Sequence, residues 1–94
     1  MILSYRDKRT ESFAEGEFIK AFHGIESQAA RRLSILDAAP SLDTLRALRG
    51  NRLETLRGDR DDQYSIRINR RWRICFEWPN GQIGPSNVEI VDYH

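Results

Sequence analysis

Arg67 and Arg73 are the residues of this chain best placed to meet a charged ligand. They lie in residues 63–78, QYSIRINRRWRICFEW, where Tyr64, Ile66 and Ile68 alternate with Ser65, Arg67 and Asn69. Trp72, Ile74, Phe76 and Trp78 likewise alternate with Arg73, Cys75 and Glu77. This period of two belongs to half-buried strands. Directly opposed residues of an antiparallel pair share a face, so the apolar sets meet only if Ile68 opposes Trp72, Ile66 opposes Ile74 and Tyr64 opposes Phe76. Asn69-Arg70-Arg71 is then a three-residue loop, Ser65 opposes Cys75, and Arg67 opposes Arg73. Like charges facing across a ladder cost a few tenths to about 1 kcal/mol. A surface that receives an anion removes that cost, and guanidinium forks suit phosphate. The alternative is a pair splayed into solvent toward Glu77 or other acids, screened by water and salt.

The end of the chain carries a second set of reactive groups. Asp92-Tyr93-His94 follows the apolar strand VEIV with three side chains able to accept or donate protons. If the end is held in place, its carboxylate raises the pKa of a nearby imidazole; a frayed, idle terminus is the alternative. Metal chemistry has little support: His23, His94 and Cys75 do not fall at ligand spacing. Asp59, Asp61 and Asp62 resemble half of a calcium loop without its glycine and closing glutamate, so they read as a turn. No glycine-rich phosphate loop is present, and no cofactor is expected.

The arginines set these groups in context. Thirteen arginines stand against two lysines, and residues 46–73 hold nine arginines against Glu54, Asp59, Asp61 and Asp62, although the formal net charge is only +1. Such a basic half is the footprint of a phosphate-bearing partner, with a solvated charged face or an acidic protein as the alternatives. Ninety-four residues suit one domain, 1–94. The apolar runs are far too short to span a membrane. MILSYRDK lacks the design of a signal peptide, and a single cysteine excludes an internal disulfide, so a cytoplasmic protein is expected.

The positioning elements follow in order. Residues 2–5 form a short strand candidate. Asp7 caps a helix over 8–15 with Phe13 inward and Gly16 ending it. Residues 17–23 are ambiguous. Ile25, Ala29, Leu33 and Leu36 make the inner stripe of a helix over 25–38, long enough to cover the apolar face of the hairpin. Pro40 breaks the chain, and Ser41 caps one more turn in which Leu42, Leu45 and Leu48 recur. A strand over 52–56 leads through a Gly58-to-Asp62 turn into the hairpin. A loop over 79–85 and a strand from 87 to the end, with Val88 and Ile90 inward, complete an antiparallel meander. Helices gathered at the N-terminal end and packed on one face of that sheet give an α+β layout.

Four segments taken together resemble one family. Residues 51–60 (NRLETLRGDR), 64–69 (YSIRIN), 72–76 (WRICF) and 88–94 (VEIVDYH) are similar, in this order, to the HigB-type plasmid-maintenance killer toxins of the RelE/ParE superfamily, and the likeness spans essentially the whole chain. It implies a RelE-like fold, two helices on a small twisted antiparallel sheet, and a bacterial type II toxin that cleaves messenger RNA in the ribosomal A site. It also implies silencing by a helix-turn-helix, HigA-like antitoxin, through which operator DNA is met indirectly, and no membrane partner. The reaction needs a base for the 2'-hydroxyl, cationic donors for the phosphorane and an acid for the leaving 5'-oxygen, without a metal.

Carried over by position, the resemblance makes Arg73 the group that stabilises the phosphate. Asp92, Tyr93 and His94 become the functional C-terminal triplet, with His94 transferring protons and Tyr93 available to stack on a base. Arg57, with Arg67 and Arg52, would hold RNA. Glu54 departs from those members that carry histidine there: it either acts as a base, weakly near neutral pH, or pairs with Arg52 or Arg73. Two rivals stay open, a ParE-like poison that binds DNA gyrase without cutting and a degenerate toxin that only binds its antitoxin.

Overall fold

A computed structural model of the chain describes residues 1–56 and 62–93. The order is helix α1 (Lys8–Ala14), a single 3-10 turn at Lys20–Phe22, α2 (Glu26–Ala38), α3 (Leu42–Ala47) and a second 3-10 turn at Arg49–Asn51. Strands β1 (Glu54–Thr55), β2 (Gln63–Arg67), β3 (Trp72–Glu77) and β4 (Ser86–Asp92) follow. They form one antiparallel sheet in the order β1-β2-β3-β4, the expected meander and α+β layout.

The hairpin register is the one the alternation demands. Tyr64 faces Phe76, Ser65 faces Cys75, Ile66 faces Ile74 and Arg67 faces Arg73. Ile66, Ile74, Phe76, Val88 and Ile90 are buried against Phe22, Leu33, Leu36 and Leu45 of the helical layer. Phe22 meets Phe13 and Trp72 edge-on, with ring centroids 5.4 and 5.7 Å apart. Trp78 belongs to this core too, its Nε1 donating to the Gln82 carbonyl. The opposite sheet face carries Ser65, Arg67, Arg73 and Cys75, and among the described residues no helix lies over it.

Helix starts follow their caps. Asp7 accepts from the Thr10 amide at 3.1 Å, and Ser41 accepts from the Thr44 amide at 3.3 Å. Thr10 also ties α1 to the sheet: its Oγ1 accepts from the Ile90 amide at 3.1 Å. The expected strand over residues 2–5 is reduced to one parallel bridge between Tyr5 and Val88. Backbone bonds between residues 3–6 and 85–88 nonetheless cover the outer edge of β4, satisfying groups that would otherwise invite another strand. Gly84 sits so close to this segment that a Cβ there would lie 1.9 Å from the Met1 carbonyl oxygen.

Two further expected elements differ. Leu48 falls outside α3 and is exposed, because the helix ends at Ala47 and the chain turns into Arg49–Asn51. The strand expected over 52–56 shortens to Glu54–Thr55, because Arg52 takes a left-handed conformation, φ 44° and ψ 55°, that breaks extension. The Gly58-to-Asp62 turn lies outside the described residues except for Asp62, whose carbonyl accepts from the Trp78 amide.

Candidate active site

On the helix-free face, Arg52, Glu54, Arg67, Asn69, Arg70, Arg73 and Tyr93 line an open concavity of about 500 Å³. Four guanidinium groups thus surround one carboxylate. The hairpin supplies Arg67, Asn69, Arg70 and Arg73, β1 and its approach supply Glu54 and Arg52, and the end of β4 supplies Tyr93.

Arg73 is the fixed point of the concavity. Only 8% of it is exposed, although it is charged and stands directly across from Arg67. Its Nε donates to Ser65 Oγ at 2.8 Å, and its Nη2 donates to the Arg52 carbonyl at 2.5 Å and the Ser65 carbonyl at 3.3 Å. Three of the five guanidinium N–H groups are thereby spent on the protein. What remains is Nη1, which lies 3.9 Å from Glu54 Oε1. Neither alternative drawn from the like-charge pair describes this arrangement fully: Arg73 is held down against the sheet, while Arg67 stays half-buried at the concavity. Glu54 is 59% exposed and pairs with Arg73, and at that exposure the contact orients more than it stabilises.

The C-terminal residues divide between the two faces. Tyr93 is 42% exposed on the concavity wall, and its hydroxyl is hydrogen-bonded to the Cys75 thiol. Partial burial pushes the Tyr93 phenol above its ordinary range, with Cys75 adding to the effect. Burial likewise pushes the Cys75 thiol up, against the opposing pull of the Tyr93 hydrogen bond. Asp92, the first member of the expected functional triplet, is not among the residues that line the concavity. It pairs with Trp72 across the ladder, so it stands on the helix-bearing face, and Arg71 grips its carboxylate from Nε and Nη2, both at 2.7 Å. The cause is strand parity: Asp92 is two residues beyond the inward Ile90, whereas Val91 and Tyr93 take the other side. His94 and Arg57 lie outside the described residues.

Residues 3–94 match the model of a family described as the RelE-like toxin of the type II toxin-antitoxin system HigB. This chain belongs to the HigB-like toxin family. It is 39% identical over 83 residues to Toxin HigB-1 of Vibrio cholerae serotype O1, covering 86% of this chain and 87% of that protein. It is also 36% identical over 63 residues to Endoribonuclease HigB of Proteus vulgaris, covering 67% of this chain and 65% of that protein. Membership makes this HigB-like chain a toxin of a type II toxin-antitoxin system, and such a system implies an antitoxin partner. Among the described residues, no helix is long and apolar enough to cross a membrane.

Three residues that matter to this HigB-like site were not singled out from the sequence. Ser65 was legible in principle, since the register places it on the same face as Arg67 and Arg73. Asn69 belongs to the hairpin loop, and its Oδ1 accepts from the Arg71 and Trp72 amides at 2.9 and 2.8 Å. Asn51 is completely buried; its Nδ2 donates to the Leu45 carbonyl at 3.0 Å and its Oδ1 accepts from Arg32 Nη1 at 2.7 Å. No local pattern announces Asn51, because its partners lie 6 and 19 residues away.

Proposed function

We propose that this HigB-like toxin is an endoribonuclease that cuts messenger RNA on the ribosome by attack of a 2'-hydroxyl on the adjacent phosphate. The observation that carries the reading is the concavity itself, with Arg73 Nη1 held beside Glu54 under a wall of three further guanidinium groups. The likeness to Endoribonuclease HigB of Proteus vulgaris supports it.

In the proposed reaction the Glu54 carboxylate takes the 2'-hydroxyl proton as that oxygen bonds to phosphorus. Arg73 Nη1 donates to the non-bridging oxygens as negative charge gathers on them, where a preorganised donor contributes most. The bond to the 5'-oxygen breaks, and His94 returns a proton to it, leaving a 2',3'-cyclic phosphate and a 5'-hydroxyl. Arg52, Arg57, Arg67 and Arg70 neutralise flanking phosphates, and Tyr93 offers a face on which a base can stack. Asp92 serves this scheme indirectly: its grip on Arg71 ties the end of β4 to the hairpin loop and so steadies Tyr93 at the site. A net charge of +1 gives little long-range pull on free RNA, so the ribosome supplies the charged scaffold that delivers the substrate. The antitoxin expected is a HigA-like helix-turn-helix protein encoded next to this gene, and through it the pair meets operator DNA.

Primer extension on transcripts from cells expressing the wild type, Arg73→Ala or His94→Ala tests the reading. Cuts within codons that vanish with either substitution support it. Growth arrest over intact transcripts points instead to a non-enzymatic poison, and neither arrest nor cleavage points to a degenerate toxin. Efficient cutting of naked RNA by purified protein at physiological salt would remove the ribosome from the scheme.

A further inference from the structure

The bonds beneath Arg73 form a cradle with a recognisable construction. Ser65 is completely buried, yet it is a polar residue at the centre of a strand, and its Oγ accepts from Arg73 Nε at 2.8 Å. Its carbonyl accepts from Nη2 of the same arginine. The third acceptor is the Arg52 carbonyl, aimed at Nη2 by the left-handed backbone of Arg52. A non-glycine residue in that conformation is strained and persists only where its surroundings over-determine it. Here the surroundings are visible: the Asn51 and Arg52 amides close turns onto the Leu48 and Arg49 carbonyls, and the buried Asn51 side chain anchors the turn to α3 and, through Arg32, to α2.

We propose that Ser65 is a positioning residue for the cleavage reaction, acting through Arg73, and that the Asn51 anchor serves the same end by aiming the Arg52 carbonyl. The inference rests on the endoribonuclease reading and deepens it. A guanidinium has several rotamers over an open sheet face, and each ordered bond removes some of them before substrate arrives. With Nε and Nη2 tied down, Nη1 enters the transition state with its direction already set. This is the form in which electrostatic stabilisation costs no reorganisation at the moment of reaction. Ser65 does not touch substrate on this account; its effect passes entirely through Arg73.

The test is a double-mutant cycle with an independent structural readout. Cleavage of ribosome-bound messenger RNA is measured for wild type, Ser65→Ala, Ser65→Thr, Arg73→Ala and Ser65→Ala/Arg73→Ala, alongside the Arg73 Nε–H signal in 1H-15N spectra. Ser65→Ala is expected to lower kcat by about tenfold or more with KM little changed, the loss typical of one hydrogen bond to a charged group. Ser65→Thr, which keeps Oγ, should recover most of that loss. In the Arg73→Ala background, where the residual cleavage is followed in single-turnover reactions with toxin in excess, Ser65→Ala should cost nothing further, because residues acting as a unit are not additive. The Arg73 Nε–H should be sharp and protected in wild type and Ser65→Thr, and exchange-broadened in Ser65→Ala. An equal loss from Ser65→Ala with and without Arg73, or an Nε–H signal unmoved by removing Oγ, overturns the positioning role while leaving the nuclease reading standing. Absence of any cleavage by the wild type overturns the reading and this inference with it.

Discussion

Replacing Asn51 with alanine should unfold this protein far more readily than any surface change, and the size of the effect follows from its partners. The side chain is wholly buried, donates to the Leu45 carbonyl at 3.0 Å and accepts from Arg32 Nη1 at 2.7 Å. Alanine leaves the Leu45 carbonyl without this donor, a cost of about 1–3 kcal/mol for a buried group. It also removes a charge-assisted bond, although Arg32 is only half-buried and recovers part of that loss in water. A total of about 2–4 kcal/mol follows. For a domain of this size each kcal/mol lowers the melting temperature by roughly 4–8 °C, so the expected drop is about 8–30 °C. Urea titration followed by circular dichroism measures the change directly, and the slope should stay constant if only stability is affected. Asn51→Asp keeps an acceptor for Arg32 but loses the donor to Leu45, so it should remain clearly destabilised. A loss below about 0.5 kcal/mol for Asn51→Ala, the scale of an ordinary surface substitution, would refute the anchoring role of this residue.

Gly84→Ala puts a Cβ 1.9 Å from the Met1 carbonyl oxygen and should displace the N-terminal segment at a cost of about 1–3 kcal/mol; a thermal melt equal to wild type would contradict that close approach. Arg73→Lys keeps the charge but cannot span Ser65 and the Arg52 carbonyl at once, so transcript cleavage should fall nearly as far as with Arg73→Ala, and a lysine variant with wild-type activity would show that charge alone suffices. Asp92→Asn should speed hydrogen exchange of the Tyr93 amide, which donates to the Arg71 carbonyl, and unchanged protection would mean that the Arg71 grip does not hold the end of β4. Burial raises the Glu89 pKa above the usual 4.5, so its contribution to stability is complete below that pH and is lost as pH rises through the folded-state value. Glu89→Gln should therefore melt higher than wild type at neutral pH and equal to it at pH 4 or below, and a lower melting temperature at neutral pH would show that the Arg6 ion pair outweighs burial.

What could be read without coordinates was whatever depends on a short repeat or a local cap. The hairpin register was legible because side chains on a strand alternate strictly, and a slip of one residue would have turned Ile66, Ile74 and Phe76 out to water. Asp7 and Ser41 announced helix starts because a cap bonds only three residues ahead. The face of Asp92 is likewise set by its parity with Ile90, two residues before it.

The amino-acid order by itself determined which residues share a sheet face, and with it the pairing of Arg67 with Arg73, because alternation is a property of neighbouring bonds. Only the tertiary structure decided that Arg73 is buried and anchored, that Arg52 leaves the strand for a left-handed turn, and that Asn51 holds that turn in place. Those outcomes depend on partners brought together from α2, α3 and β2, at separations of 6 to 21 residues, and no local pattern encodes which groups will meet there.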